Sequence, residues 1–329
     1  MKTDDVIFVA GGRGLVGSAI IRKLESIGCQ TILAPTSKQL DLTDQTAVKH
    51  YFQHHKVDYV FDAAARVGGI YANDTYSGQF IYENLMIQTN LIDAAYQNGV
   101  KKFLFLGSVC IYPKYAEVPV KEDSLLTGFL EPTNDAYAVA KISGIKMLQS
   151  YYKQYGFQSV SLMPCNLYGP GDNFHPDNGH VIPAMMSKFT TRSEVTLWGD
   201  GTPTREFMHA DDLADACLFA MLHCKDAEIY NVGTGIDISI ADLADLVANV
   251  TSFNGTINWD TDRPNGTPKR PLDCSRFYQL GWSPSISLEE GLKETYEWYK
   301  QSRRIPLQQP PLKTETMVIE ETSGDIQTK

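Results

Sequence analysis

Hydrophobic residues in this chain gather in short unbroken runs, each followed by a longer segment whose apolar positions recur at helical spacing. The run Val6-Ile7-Phe8-Val9-Ala10 predicts a strand buried on both faces of a parallel sheet. A helix over 18–27 follows, then a second strand at Thr31-Ile32-Leu33-Ala34. Asp41-Leu42-Thr43-Asp44 caps a helix ending near His54, and the next strand covers 58–63. Residues 80–98 read as a long helix with apolar positions Ile81, Leu85, Ile92 and Ala95. Lys102-Phe103-Leu104-Phe105-Leu106 is another buried strand, breaking at Gly107. A second long helix opens near Ala136, and a further strand covers 158–163.

Strands alternating with helices predict an α/β fold, a Rossmann-type doubly wound parallel sheet. After about residue 171 the alternation becomes irregular, which fits a smaller C-terminal α/β substrate-binding part. The expected organisation is a dinucleotide-binding domain over 1–170, to which about 205–235 returns, and a substrate-binding part over 171–304. Asp211-Asp212 suits the start of a helix running to 222, and Ser287-x-x-Glu290 forms a capping box for a last helix over 288–302. The polar stretch 305–329, with Pro310-Pro311 near its start, reads as a disordered tail.

Composition narrows the classes. The chain has 329 residues, 43% hydrophobic and 21% charged, enough for a sizeable core in an ordinary globular protein. A net charge of −10 argues against a nucleic-acid surface. No apolar run approaches the roughly 18 residues a membrane span needs, and the first residues enter a strand without a signal-peptide pattern. The six cysteines, Cys29, Cys110, Cys165, Cys217, Cys224 and Cys274, show no Cys-x-x-Cys pair. They read as reduced thiols in the cytoplasm, with no metal site. His50, His54 and His55 fall on a solvated helix face and receive no role.

Candidate chemistry sits at the strand ends. Gly11-Gly12-Arg13-Gly14-Leu15-Val16-Gly17 follows the first strand directly, with glycines at 11, 14 and 17. That spacing brings backbone close to a pyrophosphate at a helix N-terminus, where N–H groups and the dipole favour anions. The second strand ends without a carboxylate until Asp41, while Arg13 and Lys38 offer charge to a 2′-phosphate, so NADP (NADPH) is the expected cofactor. Tyr137 and Lys141 lie four apart, one helical turn. An ammonium beside a phenol is expected to lower the tyrosine pKa toward neutrality, and Ser108 to hold the reacting oxygen. Ser, Tyr and Lys in this order suggest carbonyl–alcohol redox chemistry.

With these residues in view the chain resembles the GDP-L-fucose synthase family of extended short-chain dehydrogenases/reductases, from about residue 6 to 303. The most specific stretches are Ala64-Ala65-Arg66-Val67-Gly68-Gly69-Ile70, Leu106-Gly107-Ser108-Val109-Cys110-Ile111-Tyr112-Pro113 and Leu130-Glu131-Pro132-Thr133-Asn134-Asp135-Ala136-Tyr137. Asn166-Leu167-Tyr168-Gly169-Pro170 and His180-Val181-Ile182-Pro183-Ala184 add to them. The resemblance implies conversion of GDP-4-keto-6-deoxy-D-mannose to GDP-L-fucose by epimerisation at C3 and C5 and NADPH-dependent reduction at C4. It implies that Cys110 and His180 are the acid/base pair, with Ser108, Tyr137 and Lys141 catalytic. It adds Ser37, Lys38, Asp41, Leu106, Gly107, Lys141, Pro164, Asn166, Leu167 and His180 to the cofactor contacts. Lys188, Trp198, Arg205 and Arg270 would meet the nucleotide sugar. A homodimer is expected, with no nucleic-acid or membrane partner. Three positions depart from the family: Val109 inside Ser-Ser-Cys, Gly179 where serine is common, and Ser37 or Lys38 where bacterial members offer arginine.

Other readings are a related nucleotide-sugar enzyme, of the GDP-colitose synthase type or a 4-epimerase that keeps its NAD, and a non-catalytic dinucleotide-binding sensor. Cys110 and His180 together favour double epimerisation, and a sensor would need only the glycine loop.

Overall fold

A computed structural model describes residues 1–176, 179–224, 227–263 and 271–304. The expected tail lies outside them. In chain order the first half contains β1 (Val6–Ala10), α1 (Leu15–Ser26), β2 (Thr31–Leu33), α2 (Gln45–His54), β3 (Tyr59–Asp62), α3 (Ile70–Thr75), α4 (Ser77–Gln97) and β4 (Lys102–Leu106). There follow α5 (Asp135–Tyr155), β5 (Ser159–Pro164), β6 (Asn166–Tyr168), α6 (Val181–Thr191), β7 (Glu194–Trp198), β8 (Thr204–His209) and α7 (Ala210–His223). The chain continues through β9 (Ile229–Val232), β10 (Asp237–Ser239), α8 (Ile240–Thr251), β11 (Thr256–Asp260), α9 (Ser275–Tyr278) and α10 (Leu288–Arg304).

Six parallel strands form the main sheet in the order β2-β1-β3-β4-β5-β9. The order reverses at β1, which opens a crevice beyond the carboxyl ends of β1 and β3 where ligands of such folds bind. Helices cover both faces. Lys102 and Phe105 of β4 have opposite parity and so point to opposite sides. The Lys102 ammonium donates to Ala220 O at 3.0 Å and Met221 O at 2.9 Å near the end of α7. Phe105 instead meets Gly144 of α5, where an added Cβ would lie 2.7 Å from its ring.

Local chemistry sets the helix ends. Asp44 accepts from Thr46 N at 2.8 Å and Ala47 N at 3.0 Å, capping α2 as its position predicts. Ser287 and Glu290 exchange the two bonds of a capping box at 3.2 and 3.3 Å. α1 starts at Leu15 rather than 18, because Gly14 takes the cap position itself. The face α4 buries also differs from the expected stripe: Phe80, Asn84, Gln88, Leu91, Ile92 and Ala95 are buried, while Ile81 and Leu85 are half-buried. Three amides therefore sit inside, Asn84, Gln88 and Asn90. Asn84 accepts from Arg66 N at 2.9 Å and donates to Arg66 O at 3.0 Å, fixing the loop after β3. Gln88 donates to Ala140 O at 2.5 Å, joining α4 to α5.

Beyond β5 a smaller assembly forms. β10, β8 and β6 make one sheet, and β11 pairs in parallel with β7. Its own apolar cluster gathers Ile182, Met186, Phe189, Val195, Leu243 and Leu292. Among the described residues no helix is long and apolar enough to cross a membrane.

Candidate active site

The glycine loop lies at the sheet's switch point. Gly11 has φ +72°, and a Cβ there would come within 2.7 Å of Ala63 O at the end of β3. Both facts exclude a side chain. A Cβ on Gly17 would collide with Gly11 O, so α1 rests directly on the turn. Gly14 differs: its nearest neighbour would be Gly11 O at 3.4 Å, an ordinary separation. The protein does not itself crowd Gly14, and no side chain caps the first turn of α1. Unsatisfied N–H groups and clear space at a helix N-terminus fit a dinucleotide pyrophosphate. Arg13 is exposed at this loop, as are Ser37 and Lys38 after β2. Asp41 is turned to a local task, accepting from Thr43 N at 2.9 Å and Thr43 Oγ1 at 2.7 Å.

The chemical groups meet where β4 ends. Gly107 leaves room there for the end of the Met163 side chain of β5, which a Cβ would displace. Ser108 then turns the chain into a short 3₁₀ segment, Val109–Ile111, and accepts from Cys110 N at 3.4 Å. The Cys110 Sγ lies 3.2 Å from Ser108 Oγ. From α5, the Lys141 ammonium donates to Leu106 O at 2.8 Å, with the Phe105 ring centroid 4.7 Å away and that of Tyr137 5.9 Å away. Ser108, Cys110, Tyr137 and Lys141 are thus brought together.

The electrostatics correct one expectation. The Tyr137 phenol is pushed up, not down, chiefly by burial and then by negative charge on Cys110 and Asp62. Lys141 spends its hydrogen bond on a carbonyl of β4, and burial is the larger influence on the phenol. A phenol held protonated is the form that donates. Burial pushes Lys141 down, opposed first by the Asp62 carboxylate and then by Cys110. Asp62, which drew no attention in the sequence, is buried at the end of β3, and burial raises its pKa to about 6 against the pull of Lys141. A carboxylate closing the apolar run Tyr59-Val60-Phe61 was its only signal.

His180 caps α6, half-exposed at 48%, with its Nδ1 3.4 Å from the almost fully buried carboxylate of Asp172. That hydrogen bond, aided by the charge, raises the imidazole pKa, with burial opposing. The loop carrying Asp172 leans on the cofactor end of the fold: a Cβ on Gly171 would sit 3.3 Å from Ser18 Oγ of α1. No bond joins His180 to Tyr137 or Cys110 among the described residues; its hydrogen-bonded partner is Asp172. Asp172 carries no sequence signal inside a loop rich in Pro, Gly, Asn and Asp.

Pro164 ends β5, and Asn166 and Leu167 begin β6 beside it; Asn166 donates to Glu206 O at 2.9 Å. Trp198 is 65% exposed, with the Arg263 guanidinium 5.1 Å over its ring. Arg205 is half-buried on β8 and donates to Thr204 O at 2.7 Å; burial lowers its pKa. Lys188 is half-buried on α6. Arg270 lies outside the described residues.

A model of the NAD dependent epimerase/dehydratase family matches residues 7–233. GDP-L-fucose synthase 1 of Arabidopsis thaliana is 53% identical over 298 residues, spanning 89% of this chain and 92% of that protein. The GDP-L-fucose synthase of Escherichia coli is 48% identical over 311 residues, spanning 90% and 97%. Among solved structures, a GDP-L-fucose synthetase from Naegleria fowleri bound to NADP superposes with a TM-score of 0.86 at 29% identity, covering 92% of this chain and 95% of that one.

Proposed function

The chain belongs to the NAD dependent epimerase/dehydratase family, and we propose that it converts GDP-4-keto-6-deoxy-D-mannose to GDP-L-fucose. It epimerises C3 and C5, then reduces C4 with NADPH. The observation that carries this reading is the thiol. A simple ketone reductase is served by Ser108, Tyr137 and Lys141; Cys110, 3.2 Å from Ser108 and close enough to perturb both Tyr137 and Lys141, adds a group that moves protons on carbon.

Protons on carbons flanking a ketone are acidic because the enolate places charge on the keto oxygen. The Ser108 hydroxyl and the Tyr137 phenol stabilise that oxygen. Cys110 and His180 remove and return protons, the imidazole supported in its charged form by Asp172. In the reduction, bound NADPH supplies hydride to C4. The phenol of Tyr137, protonated through its burial, delivers the proton to the C4 oxygen, and Lys141 stabilises the phenolate left behind. Gly11, Gly12, Gly14, Leu15, Val16 and Gly17 would hold the pyrophosphate through backbone, with Arg13, Ser37 and Lys38 near the 2′-phosphate and Leu106, Gly107, Pro164, Asn166 and Leu167 lining the strand ends. Arg205 suits the sugar diphosphate by its planar fork, with Lys188, Trp198 and Arg270 completing the nucleotide contacts.

A homodimer in the cytoplasm is part of the same proposal. Tyr82 on α4 and Val139 on α5 are 61% and 42% exposed, apolar surface that a second copy would cover. All six cysteines are unbridged, as in a reducing compartment. Sedimentation at micromolar concentration tests the dimer.

The reaction is tested by incubating the protein with GDP-4-keto-6-deoxy-D-mannose and NADPH in deuterated water. NADPH absorbance falls and deuterium enters the product at both C3 and C5. Label at one carbon alone would favour the colitose type, and no NADPH consumption would sink the reductase. Cys110→Ser loses most carbon exchange while Tyr137→Phe chiefly loses reduction.

A further inference from the structure

We propose that Asp62 is a positioning residue for the reaction, its carboxylate holding the charge of the Lys141 ammonium behind Tyr137. The inference rests on the reading of Lys141 and Tyr137 above.

Asp62 ends β3, between Ala10 of β1 and Phe105 of β4 in the sheet register. Directly paired residues on adjacent strands share a face. The carboxyl therefore lies on the side of the Phe105 ring, the side covered by α5. The Lys141 Nζ stands 4.7 Å from the centroid of that same ring. Acid and base are neighbours of one aromatic side chain in a dry layer. Asp62 is 1% exposed; one oxygen accepts from Ala64 N at 3.2 Å, and the other has no hydrogen-bond partner among the described residues. Lys141 is 3% exposed and donates to a single carbonyl.

Isolated charges are costly in such a place, and the two groups relieve each other. Lys141 is the strongest influence opposing the burial of Asp62, and Asp62 the strongest opposing the burial of Lys141. The other titratable groups facing the pair are Tyr137 on the same helix and Cys110 on the 3₁₀ segment after β4. From α4 the neutral amide of Gln88 reaches this layer, bonding Ala140 O beside the Phe105 ring, and β1 presents Ala10. Asp62 could instead be no more than a turn former for Ala64. An asparagine would serve that purpose equally, since its carbonyl accepts the same N–H. The charge is what distinguishes the two roles.

Asp62→Asn is the test. Without the carboxylate, Lys141 loses its proton at lower pH. The alkaline limb of the kcat profile moves down by about one pH unit or more, and kcat at neutral pH falls roughly tenfold while KM for the nucleotide sugar holds. A variant that binds NADPH normally and keeps the parent's pH profile overturns the proposal. A second measurement needs neither substrate nor a folded Asp62 variant. Carbon-13 on aspartate carboxyls in the parent shows one group titrating near pH 6, as expected for Asp62, and its midpoint rises in Lys141→Met. A midpoint unmoved by Lys141→Met refutes the pairing. A parent that makes no fucose product but keeps this coupling removes the synthase reading and leaves the pair standing.

Discussion

Tyr112 Oη donates a 2.6 Å hydrogen bond to Asn231 Oδ1, joining the segment that carries Cys110 to β9 across 119 residues of sequence. Asn231 is wholly buried, and its side-chain amide and backbone N–H are all engaged. Its amide donates to Val120 O at 2.9 Å and Asp273 O at 3.1 Å, and its backbone N–H donates to the buried carboxylate of Glu122 at 2.9 Å. The loop between β4 and α5 is thus held at Tyr112 and again at Val120 by one side chain.

Asn231→Ala removes three buried hydrogen bonds, that from the Tyr112 hydroxyl and those to Val120 O and Asp273 O. The expected loss is about 3 kcal/mol of unfolding free energy, at roughly 1 kcal/mol for each hydrogen bond. Urea denaturation measures it. Tyr112→Phe, which leaves one acceptor unpaired, should cost clearly less, and equal costs would mean that Asn231 is not the hub.

Gly144→Ala sets two effects against each other. Alanine favours a helix interior over glycine by about 1 kcal/mol. The added methyl, however, would lie 2.7 Å from the Phe105 ring and 3.0 Å from the Gln88 amide. Overpacking of that kind costs about 1–3 kcal/mol, and both neighbours are pinned, so the variant is expected to be less stable. A raised thermal midpoint would show that α5 can shift.

Asp172→Asn removes the group that raises the His180 pKa. The imidazole then titrates at lower pH, and less of it is charged at neutrality. NMR of the ring protons reads the shift directly. Because the folded pKa is raised, the stabilising bond to Asp172 is complete at acid pH and lost as pH rises through the folded-state value. Deuterium exchange at the sugar carbons is expected to slow on the side of the reaction that needs the imidazolium.

Gly11→Ala combines a left-handed backbone with a contact to Ala63 O too close to tolerate. Strain of this type is worth about 1–3 kcal/mol. The turn must move, and NADPH affinity is expected to fall at least tenfold, as read by fluorescence titration.

How much of this was legible beforehand differs by residue. The glycine spacing, the Tyr137/Lys141 turn, the Asp44 cap and the Ser287/Glu290 box are relations within a few residues, and chain geometry fixes them. The burial of Asn84 and Gln88 was missed because α4 faces polar backbone at Arg66 and Ala140, and apolar periodicity does not register amides with a partner waiting.

The sequence by itself determined the strand–helix alternation, the cofactor loop and the residue types of the site, because backbone rules act between near neighbours. Only the tertiary structure decided that Asp62 would share a buried layer with Lys141, that Asp172 would raise the His180 pKa and that burial would raise that of Tyr137. Those outcomes depend on desolvation and on charges brought together from distant segments, which the order of residues does not display.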